Sequence, residues 1–272
     1  QVDASLTDGR ITALSAEAFS DTHRGRPRPG PNRAGPAKLL ANRFRADPLP
    51  PFVAPPNMGT HAGMHRNLDP IYDFVETRLV KNLVQTLPHR TSAMRCLGAV
   101  ANVFALESLM DEAAQTAGTD PIAFRIAHLT DPRAIAVLRD LDRRLAALPP
   151  VAEGMGRGIA YAQYKNAMTR VGMAVDLSVT DTAEVRLDRV TIVADAGRVI
   201  DPDGLIAQLE GGVMQAASWA LHEEVTWDRD GITSRDWDSY PVLRFDNVPD
   251  FDISLLEDNA LPSVGAGEAS PG

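Results

Sequence analysis

Three of the five Asp-Pro pairs in this chain, those at Asp120, Asp131 and Asp201, indicate where helices begin. In each pair the aspartate can cap a helix N-terminus, and the proline has a backbone angle that suits the first helical position. Apolar residues follow each pair at helical spacing, which indicates a face that packs in a core. We therefore expect helices that begin after Asp120, Asp131 and Asp201 and end near Leu129, Leu148 and Glu223.

A further helix is predicted upstream, from Val103 to about Ala117. Asn102 can cap this helix, and Gly118 can end it because glycine readily adopts the left-handed conformation found there. Apolar residues again recur on one side. The expected buried side consists of Phe104, Leu106, Leu109, Met110 and Ala113.

Segments with strand patterning lie on both sides of the helices. Val2 to Ser15 alternates around Asp8-Gly9, a dipeptide typical of tight hairpin turns. The order strands, helices, strands, helix, strands is typical of an α+β fold with mixed sheets and packed helices, rather than of a doubly wound sheet. The other strand-like segments are 71–86, 158–164, 171–179, 183–195 and 251–256, with a hairpin expected over 225–237.

We expect two α+β lobes, 1–150 and 151–272. The first would contain a Pro/Arg-rich loop at 22–56 and the helices within 103–148, and the second a helix at 203–223 and a C-terminal glutamate turn. The chain opens within a strand pattern and stops directly after that turn. The sequence therefore predicts a fold that is incomplete at both ends.

The Pro/Arg-rich loop has an unusual composition. Between Thr22 and Pro56 lie nine of the 20 prolines and seven Lys or Arg residues. Such a segment does not form a central strand or a long helix, and it indicates an extended loop. Its positive charges suit either a position beside anionic cofactor phosphates or an ordinary solvated connection.

Charge and cysteine content exclude several classes of function. A net charge of −9 argues against nucleic acid or an anionic membrane as the main partner. The single cysteine, Cys96, excludes an internal disulfide and any iron–sulfur cluster held by cysteines of this chain. No apolar run approaches the roughly 20 residues that span a bilayer. His61 and His65 would suit a metal only within a helix, which Gly63 disfavours, so no protein-held metal site is predicted.

Glu268 lies in the C-terminal Gly-Ala-Gly-Glu turn and is the only ionisable residue there. Gly265 and Gly267 let the backbone take positive φ angles and approach a bulky ligand closely. This arrangement suits the presentation of a general base. An ordinary surface turn with a solvated glutamate is the alternative that the turn alone leaves open.

Six segments carry a resemblance to a known family. In this order they are similar to the molybdenum-binding large subunit of the xanthine dehydrogenase/aldehyde oxidase family, and most similar to bacterial isoquinoline oxidoreductase, nicotinate dehydrogenase and aldehyde dehydrogenase large subunits. The resemblance covers about residues 60–272, and Val100, Ala101, Ala196 and Ala269 depart from the family pattern. The segments are 95–114, 118–125, 194–204, 208–212, 240–244 and 265–268.

The resemblance implies roles for individual residues. Glu268 matches the catalytic glutamate, and Gln208 matches a glutamine beside the pterin, although a surface glutamine of the helix is the alternative. The loop from Arg95 to Gly98 matches the segment beside molybdenum and substrate, and Leu97 stands where relatives place a side chain against the substrate. Further candidates for cofactor contact are Gly211, Gly212 and Gly267, although glycines often serve turns or close helix packing.

The resemblance also implies a reaction and its partners. The expected cofactor is molybdenum bound to molybdopterin cytosine dinucleotide, and the expected substrate is an aldehyde or an N-heteroaromatic ring that gains oxygen from water. Glu268 would take up the proton, since a carboxylate is a suitable general base. Electrons would leave through a separate small [2Fe–2S] subunit and a cytochrome c. The alternative is a non-catalytic structural or subunit-contact fragment, and the isolated chain is expected to be inactive.

Overall fold

The computed structural model of the protein describes residues 1–23, 39–50, 55–87 and 91–272. Its contacts divide into two compact units, Gln1–Gly118 and Thr119–Gly272. Each unit contains a mixed β-sheet with packed helices. The predicted α+β class is therefore confirmed.

The sheet of the first unit has the strand order β1-β2-β3. Strands β1 (Val2–Thr7) and β2 (Arg10–Ser20) form the predicted antiparallel hairpin, and Asp8 and Gly9 both have positive φ angles, as a tight hairpin turn requires. Strand β3 (Glu76–Leu83) pairs in parallel with β2 and is shorter than the predicted segment 71–86.

Much of the Pro/Arg-rich loop at 22–56 falls outside the described residues. Its described part includes a short 3-10 helix, Leu40–Phe44. A second 3-10 helix, Gly63–His65, includes the latter of the two spaced histidines, while His61 lies before it with a φ of 47°. The two histidines therefore do not share an α-helical face.

Helix α1 (Ala99–Ala117) lies against β1 and β2 and ends at Gly118 in the left-handed conformation, as predicted. Its start was predicted wrongly. Gly98 is the N-cap residue, and the Asn102 side chain instead donates to the carbonyl oxygens of Met64 and Arg66 at 3.0 and 2.9 Å. Asn102 therefore fastens α1 to the preceding loop.

The predicted buried side of α1 is wrong at Phe104, which is 74% exposed. The neighbouring Val103 is buried in its place, together with Leu106, Met110 and Ala113. The buried side also includes Glu107, whose carboxylate accepts a hydrogen bond of 2.8 Å from the Tyr72 hydroxyl. Both Val103 and Phe104 are apolar, so the pattern alone does not tell which of them faces the core.

The second unit is built on a four-stranded sheet with the order β4-β5-β6-β7. The first three strands pair antiparallel, and β7 joins β6 in parallel. Strand β6 is buried from Val190 to Asp195, as expected for a strand covered on both faces. The strands are β4 (Met155–Gln163), β5 (Arg170–Val179), β6 (Val185–Asp195) and β7 (Asp250–Leu256).

The Asp-Pro pairs at Asp120, Asp131 and Asp201 begin helices as predicted. Helices α2 (Pro121–Ala127), α3 (Pro132–Ala146) and α4 (Pro202–Leu221) each start at the proline, and the preceding aspartate accepts backbone N–H groups of the first turn. Helix α3 lies against β5 and β6, where Gly172 leaves room for Val137. Helix α4 packs on the opposite face of this sheet, where its Leu209 and Val213 share a core with Val171 and Ala194.

One other prediction differs from the structure. The hairpin expected over 225–237 is reduced to one bridge between Trp227 and Ile232. The contacts divide the chain at Gly118, and α3 packs on the sheet of the second unit. The expected division into lobes 1–150 and 151–272 stays a prediction.

Candidate functional site

The turn that carries Glu268 is anchored in the core of the second unit. Ala266 and Ala269 are buried in a cluster with Leu209 and Val213 of α4 and with side chains of β5 and β6. The backbone N–H of Ala269 donates to the carbonyl of Ala266 at 3.1 Å, which closes the turn around Gly267 and Glu268. Glu268 itself is half-buried. Its carboxylate is thus presented from a fixed backbone.

The turn between β4 and β5 supplies contacts that the sequence did not predict. The Tyr164 hydroxyl donates to Glu268 Oε2 at 3.3 Å, and the Thr169 hydroxyl donates to the carbonyl of Gly265. Both residues lie about a hundred positions upstream of the glutamate and belong to no motif. The hairpin between two predicted strands was the only sequence signal that could have drawn attention to them.

Gln208 contacts the glutamate turn directly. Its Nε2 donates to the carbonyl oxygen of Gly267 at 2.7 Å. Because that partner only accepts, the amide nitrogen must face the turn, and Oε1 points elsewhere as an acceptor. The side chain is exposed on α4. The structure therefore brings together Gln208, Gly267 and Glu268 of the predicted site, and pterin contact by Gln208 stays a prediction.

The candidate glycines of the second unit differ in their surroundings. A Cβ on Gly212 would overlap the Ser270 hydroxyl, and one on Gly267 would lie 2.5 Å from atoms of the Tyr164 ring. These two glycines therefore allow close packing within the chain. Gly211 is exposed beside Gln208 on α4, and a Cβ there would meet no described atom within 4 Å. Among the three, Gly211 has the surface that a ligand could approach.

The loop from Arg95 to Gly98 lies in the first unit and has a strained backbone. Cys96 and Leu97 have φ angles of 69° and 57°, in the left-handed region that residues other than glycine rarely adopt. Gly98 packs so closely on the carbonyl of Met64 that a Cβ would overlap it. Such strain clusters at functional sites, where the surroundings hold it in place.

Leu97 lines a cavity of about 390 Å³ in the first unit. Phe19, Met94 and Val100 contribute apolar walls, and Ser20 and His23 contribute polar ones. Apolar cavities of this size with a few polar groups are typical of small-molecule sites. Burial lowers the pKa of His23, so its imidazole is neutral at pH 7. The predicted contact of Leu97 with a substrate stays a prediction.

Asp195 lies where β6 ends, next to the Ala196-Gly197 turn that supports the glutamate segment. Its carboxylate accepts two hydrogen bonds from Arg133 of α3 and one from the Gly197 N–H at 2.9 Å. Burial opposes ionisation of Asp195, but the hydrogen bonds from Arg133 and Gly197 outweigh it and lower the pKa. The Ala196 carbonyl then accepts the Val264 N–H at 3.1 Å.

Clusters that could hold a metal ion and helices that could cross a membrane are both missing from the described residues. Within residues 1–23, 39–50, 55–87 and 91–272, no three His, Cys, Asp or Glu side chains are grouped so as to hold a metal ion. None of the helices in the same part of the chain combines the length and apolar character needed to cross a membrane.

Two protein-family models match this chain. Models of the molybdopterin cofactor-binding domain match residues 52–129 and 141–249. The two matches include the Arg95 loop, helix α4 and Gln208. This chain belongs to the molybdopterin cofactor-binding family. The resemblance to the molybdenum-binding large subunits of the xanthine dehydrogenase/aldehyde oxidase family is thereby confirmed.

Two of the curated relatives of this chain are subunits of bacterial oxidoreductases. It is 34% identical over 256 residues to a nicotinate dehydrogenase subunit of Pseudomonas putida, an alignment that covers 88% of the chain and 21% of the relative. It is 36% identical over 179 residues to the beta subunit of isoquinoline 1-oxidoreductase from Brevundimonas diminuta, which covers 63% of the chain and 22% of the relative. The chain thus spans about a fifth of the length of these relatives.

Solved structures share its fold. Quinoline 2-oxidoreductase from Pseudomonas putida 86 matches with a TM-score of 0.70 and 14% identity over 97% of the chain and 56% of that structure's chain. The aldehyde oxidoreductase of Desulfovibrio gigas matches with a TM-score of 0.63 and 12% identity over 99% of the chain and 45% of its own. At this identity the likeness establishes the fold alone.

Proposed function

We propose that this chain forms part of a molybdenum hydroxylase that oxidises an aldehyde or an N-heteroaromatic carbon, with Glu268 as the general base. The observation that carries the proposal is the presentation of Glu268. In a molybdopterin-binding chain, a half-buried carboxylate stands on a core-anchored turn and accepts a hydrogen bond from Tyr164. A general base needs this kind of fixed geometry relative to the proton that it accepts.

The residues beside Glu268 fit a pterin cofactor. Gln208 is held by Gly267 through its nitrogen and offers its amide oxygen to a ligand N–H group. Gly211, on the same exposed face of α4, has open space where a side chain would stand. Gln208 and Gly211 would therefore hold the pterin, in the form of molybdopterin cytosine dinucleotide. Cofactor contact by the Arg95–Gly98 loop stays a prediction of the family resemblance.

In the proposed reaction the cofactor and the protein have different roles. When bound, the molybdenum cofactor supplies a two-electron oxidant, which amino-acid side chains do not provide. Glu268 accepts the proton released when water-derived oxygen joins the substrate carbon. Contact of Leu97 with the substrate is expected from the family resemblance alone.

The electrons require an exit, because this chain has a single cysteine and holds no cluster of its own. We expect a small [2Fe–2S] subunit as the partner, with a cytochrome c as a later acceptor. The two curated relatives are each named as one subunit of a larger enzyme, which supports a partner chain.

The test of the proposal is Glu268→Gln in the cofactor-loaded holoenzyme. The amide keeps the shape of the side chain but does not accept the proton, so kcat should fall by roughly three orders of magnitude or more. Molybdenum content and thermal stability should stay at parental values, since the turn is anchored by Ala266 and Ala269.

The matched control is Glu257→Gln, which removes the same charge from an exposed position after β7. It should leave kcat unchanged. A Glu268→Gln enzyme whose kcat stays within about tenfold of the parent, a loss of only roughly 1.4 kcal/mol, would refute the assignment. A holoenzyme preparation without stoichiometric molybdenum would favour the non-catalytic alternative instead.

A further inference from the structure

Tyr164 contacts both the glutamate and the backbone that carries it. Its hydroxyl donates to Glu268 Oε2 at 3.3 Å. Its ring lies against Gly267 so closely that a Cβ there would be 2.5 Å from the ring atoms Cδ1 and Cε1. A rotation of the Gly267–Glu268 segment would therefore meet the ring, and a rotation of the carboxylate would break the hydrogen bond.

The turn that carries Tyr164 has a fixed shape of its own. The Tyr164 N–H donates to the Thr169 carbonyl at 2.9 Å, and the Met168 N–H donates to the Tyr164 carbonyl at 3.0 Å. Lys165 and Asn166 have φ angles of 53° and 54°. Positive φ angles at residues other than glycine are costly and persist only where the surrounding structure determines them.

Thr169 extends the contact to the other end of the glutamate turn. Its side chain is fully buried, and its hydroxyl donates to the carbonyl of Gly265. The two ends of the β4–β5 turn thus contact the two ends of the glutamate turn. Thr169 lies at Gly265, and Tyr164 lies at Gly267 and Glu268. Lys165 places its ammonium 5.0 Å from the centre of the Tyr164 ring, a cation–π distance that further orders the ring.

The geometry points to Tyr164 as a positioning residue for Glu268, an inference that rests on the proposed role of Glu268 as the base. A hydroxyl that donates to one carboxylate oxygen fixes the rotation of the carboxylate about its last side-chain bond. The direction in which the carboxylate accepts a proton is then set before the substrate binds. Such preorganisation by a supporting side chain lowers the barrier of the chemical step rather than strengthening substrate binding.

The test compares Tyr164→Phe with the parent and with Glu268→Gln in the molybdenum-loaded holoenzyme. Phenylalanine keeps the ring against Gly267 and removes only the hydroxyl. We expect kcat per bound molybdenum to fall by about tenfold. The KM should stay within about twofold of the parent, because the substrate contacts are unchanged.

Tyr240→Phe is the matched control. The Tyr240 hydroxyl donates to Glu223 Oε2 at 2.7 Å in the same unit, so this variant also loses a hydroxyl–carboxylate hydrogen bond. Its kcat and KM should equal the parental values. A fall of kcat as large as that of Tyr164→Phe would show a general loss of structure and overturn the inference.

A second readout does not depend on turnover. Labelling of the Glu268 carboxylate by a water-soluble carbodiimide, followed by peptide mass spectrometry, should be several-fold faster in Tyr164→Phe than in the parent or in Tyr240→Phe. A parental kcat or an unchanged labelling rate in Tyr164→Phe would overturn the inference about Tyr164. If Glu268→Gln were inactive in the same experiment, the proposed function would stand. An active Glu268→Gln enzyme would overturn the proposed function itself.

Discussion

At the scale of single residues, two neighbouring glycines of α4 have opposite surroundings. A Cβ on Gly212 would overlap the Ser270 hydroxyl and lie 2.8 Å from Pro271 Cδ. A Cβ on Gly211 would meet no described atom within 4 Å. Both lie inside a helix, where glycine is roughly 1 kcal/mol less favourable than alanine. The same substitution should therefore have opposite effects at the two positions.

We expect Gly211→Ala to raise the free energy of unfolding by about 0.5–1 kcal/mol, since it adds helix propensity without a clash. Gly212→Ala should lower it by about 1–3 kcal/mol, because the added methyl group pushes α4 away from the C-terminal turn. Denaturation by urea measures both values. Effects of the same sign at both positions would contradict the packing described for Gly212.

The candidate functional residues differ in how far a sequence can reveal them. Glu268 and Gln208 lie in short motifs, and the resemblance of these motifs to those of the family selected both residues as candidates. Tyr164 contacts a partner 104 residues away, which no local pattern contains. The prediction of Asn102 as a helix cap was wrong for the same reason. Its side chain donates to the distant carbonyl of Met64 rather than capping the start of its own helix.

At the scale of elements, the Arg133–Asp195 ion pair joins α3 to the end of β6. The side chain of Asp195 is 9% exposed, and that of Arg133 is 31% exposed. The lowered pKa of Asp195 means that the folded protein holds the ionised carboxylate more firmly than the unfolded chain does. This contribution to stability is complete above the unfolded-state pKa and is lost as the pH falls through the lower folded-state pKa.

Asp195→Asn should therefore lower the free energy of unfolding by roughly 1–2 kcal/mol at pH 7, a range that allows for the partly solvated Arg133. The difference from the parent should narrow once the pH falls below about 4, where this carboxyl begins to take up a proton in the unfolded chain while the folded protein still holds it ionised. Thermal unfolding from pH 7 to pH 3 measures this difference. Asp142→Asn, at an exposed position of α3, should show no such effect, and a difference for Asp195→Asn that is constant with pH would contradict the role of the charge.

The boundaries of helices and strands could be predicted from the sequence where interactions between neighbouring residues decide them. The Asp-Pro pairs placed α2, α3 and α4 because capping and proline geometry act within one turn. The hairpin predicted over 225–237 was wrong. Its apolar and polar residues alternate as in strands, but the two segments pair only through a bridge between Trp227 and Ile232. Strand pairing depends on what a neighbouring segment offers, which a local pattern does not contain.

At the scale of the whole molecule, both units expose large apolar side chains. Phe245 is 98% exposed and Trp237 is 75% exposed. Where such side chains lie next to one another, they commonly mark a surface that contacts another protein or segment. Further examples are Phe44, Val75, Phe104 and Ile200.

We expect the isolated 272-residue chain to bind a hydrophobic dye and to associate as its concentration rises, since its exposed side chains favour burial. It should also retain little molybdenum and show no turnover. Light scattering, metal analysis and an assay with aldehydes and N-heteroaromatics measure these properties. The double variant Trp237→Ser with Phe245→Ser should associate less than the parent. A monomeric, active preparation with stoichiometric molybdenum would contradict the expectation.

The fold class could be predicted for the chain, and the family from about residues 60–272, but the strand order within the sheets could not be predicted. The α+β class follows from the order of the elements, which the sequence pattern contains. The parallel pairing of β2 with β3 and of β6 with β7 joins strands separated by long segments. Such pairing is selected by the assembled core, and the same strand patterns would also suit other neighbours.

The parallel pairing of β7 with β6 has a consequence for the order of folding. The glutamate turn follows β7, and its contacts reach 59 residues back to Gln208, 96 to Thr169 and 104 to Tyr164. Contacts between distant positions form slowly, because the entropy of closing a long loop is lost before the contact contributes. The β4–β5 hairpin and α4 can form from local contacts, so the carboxylate should reach its place among the last events of folding.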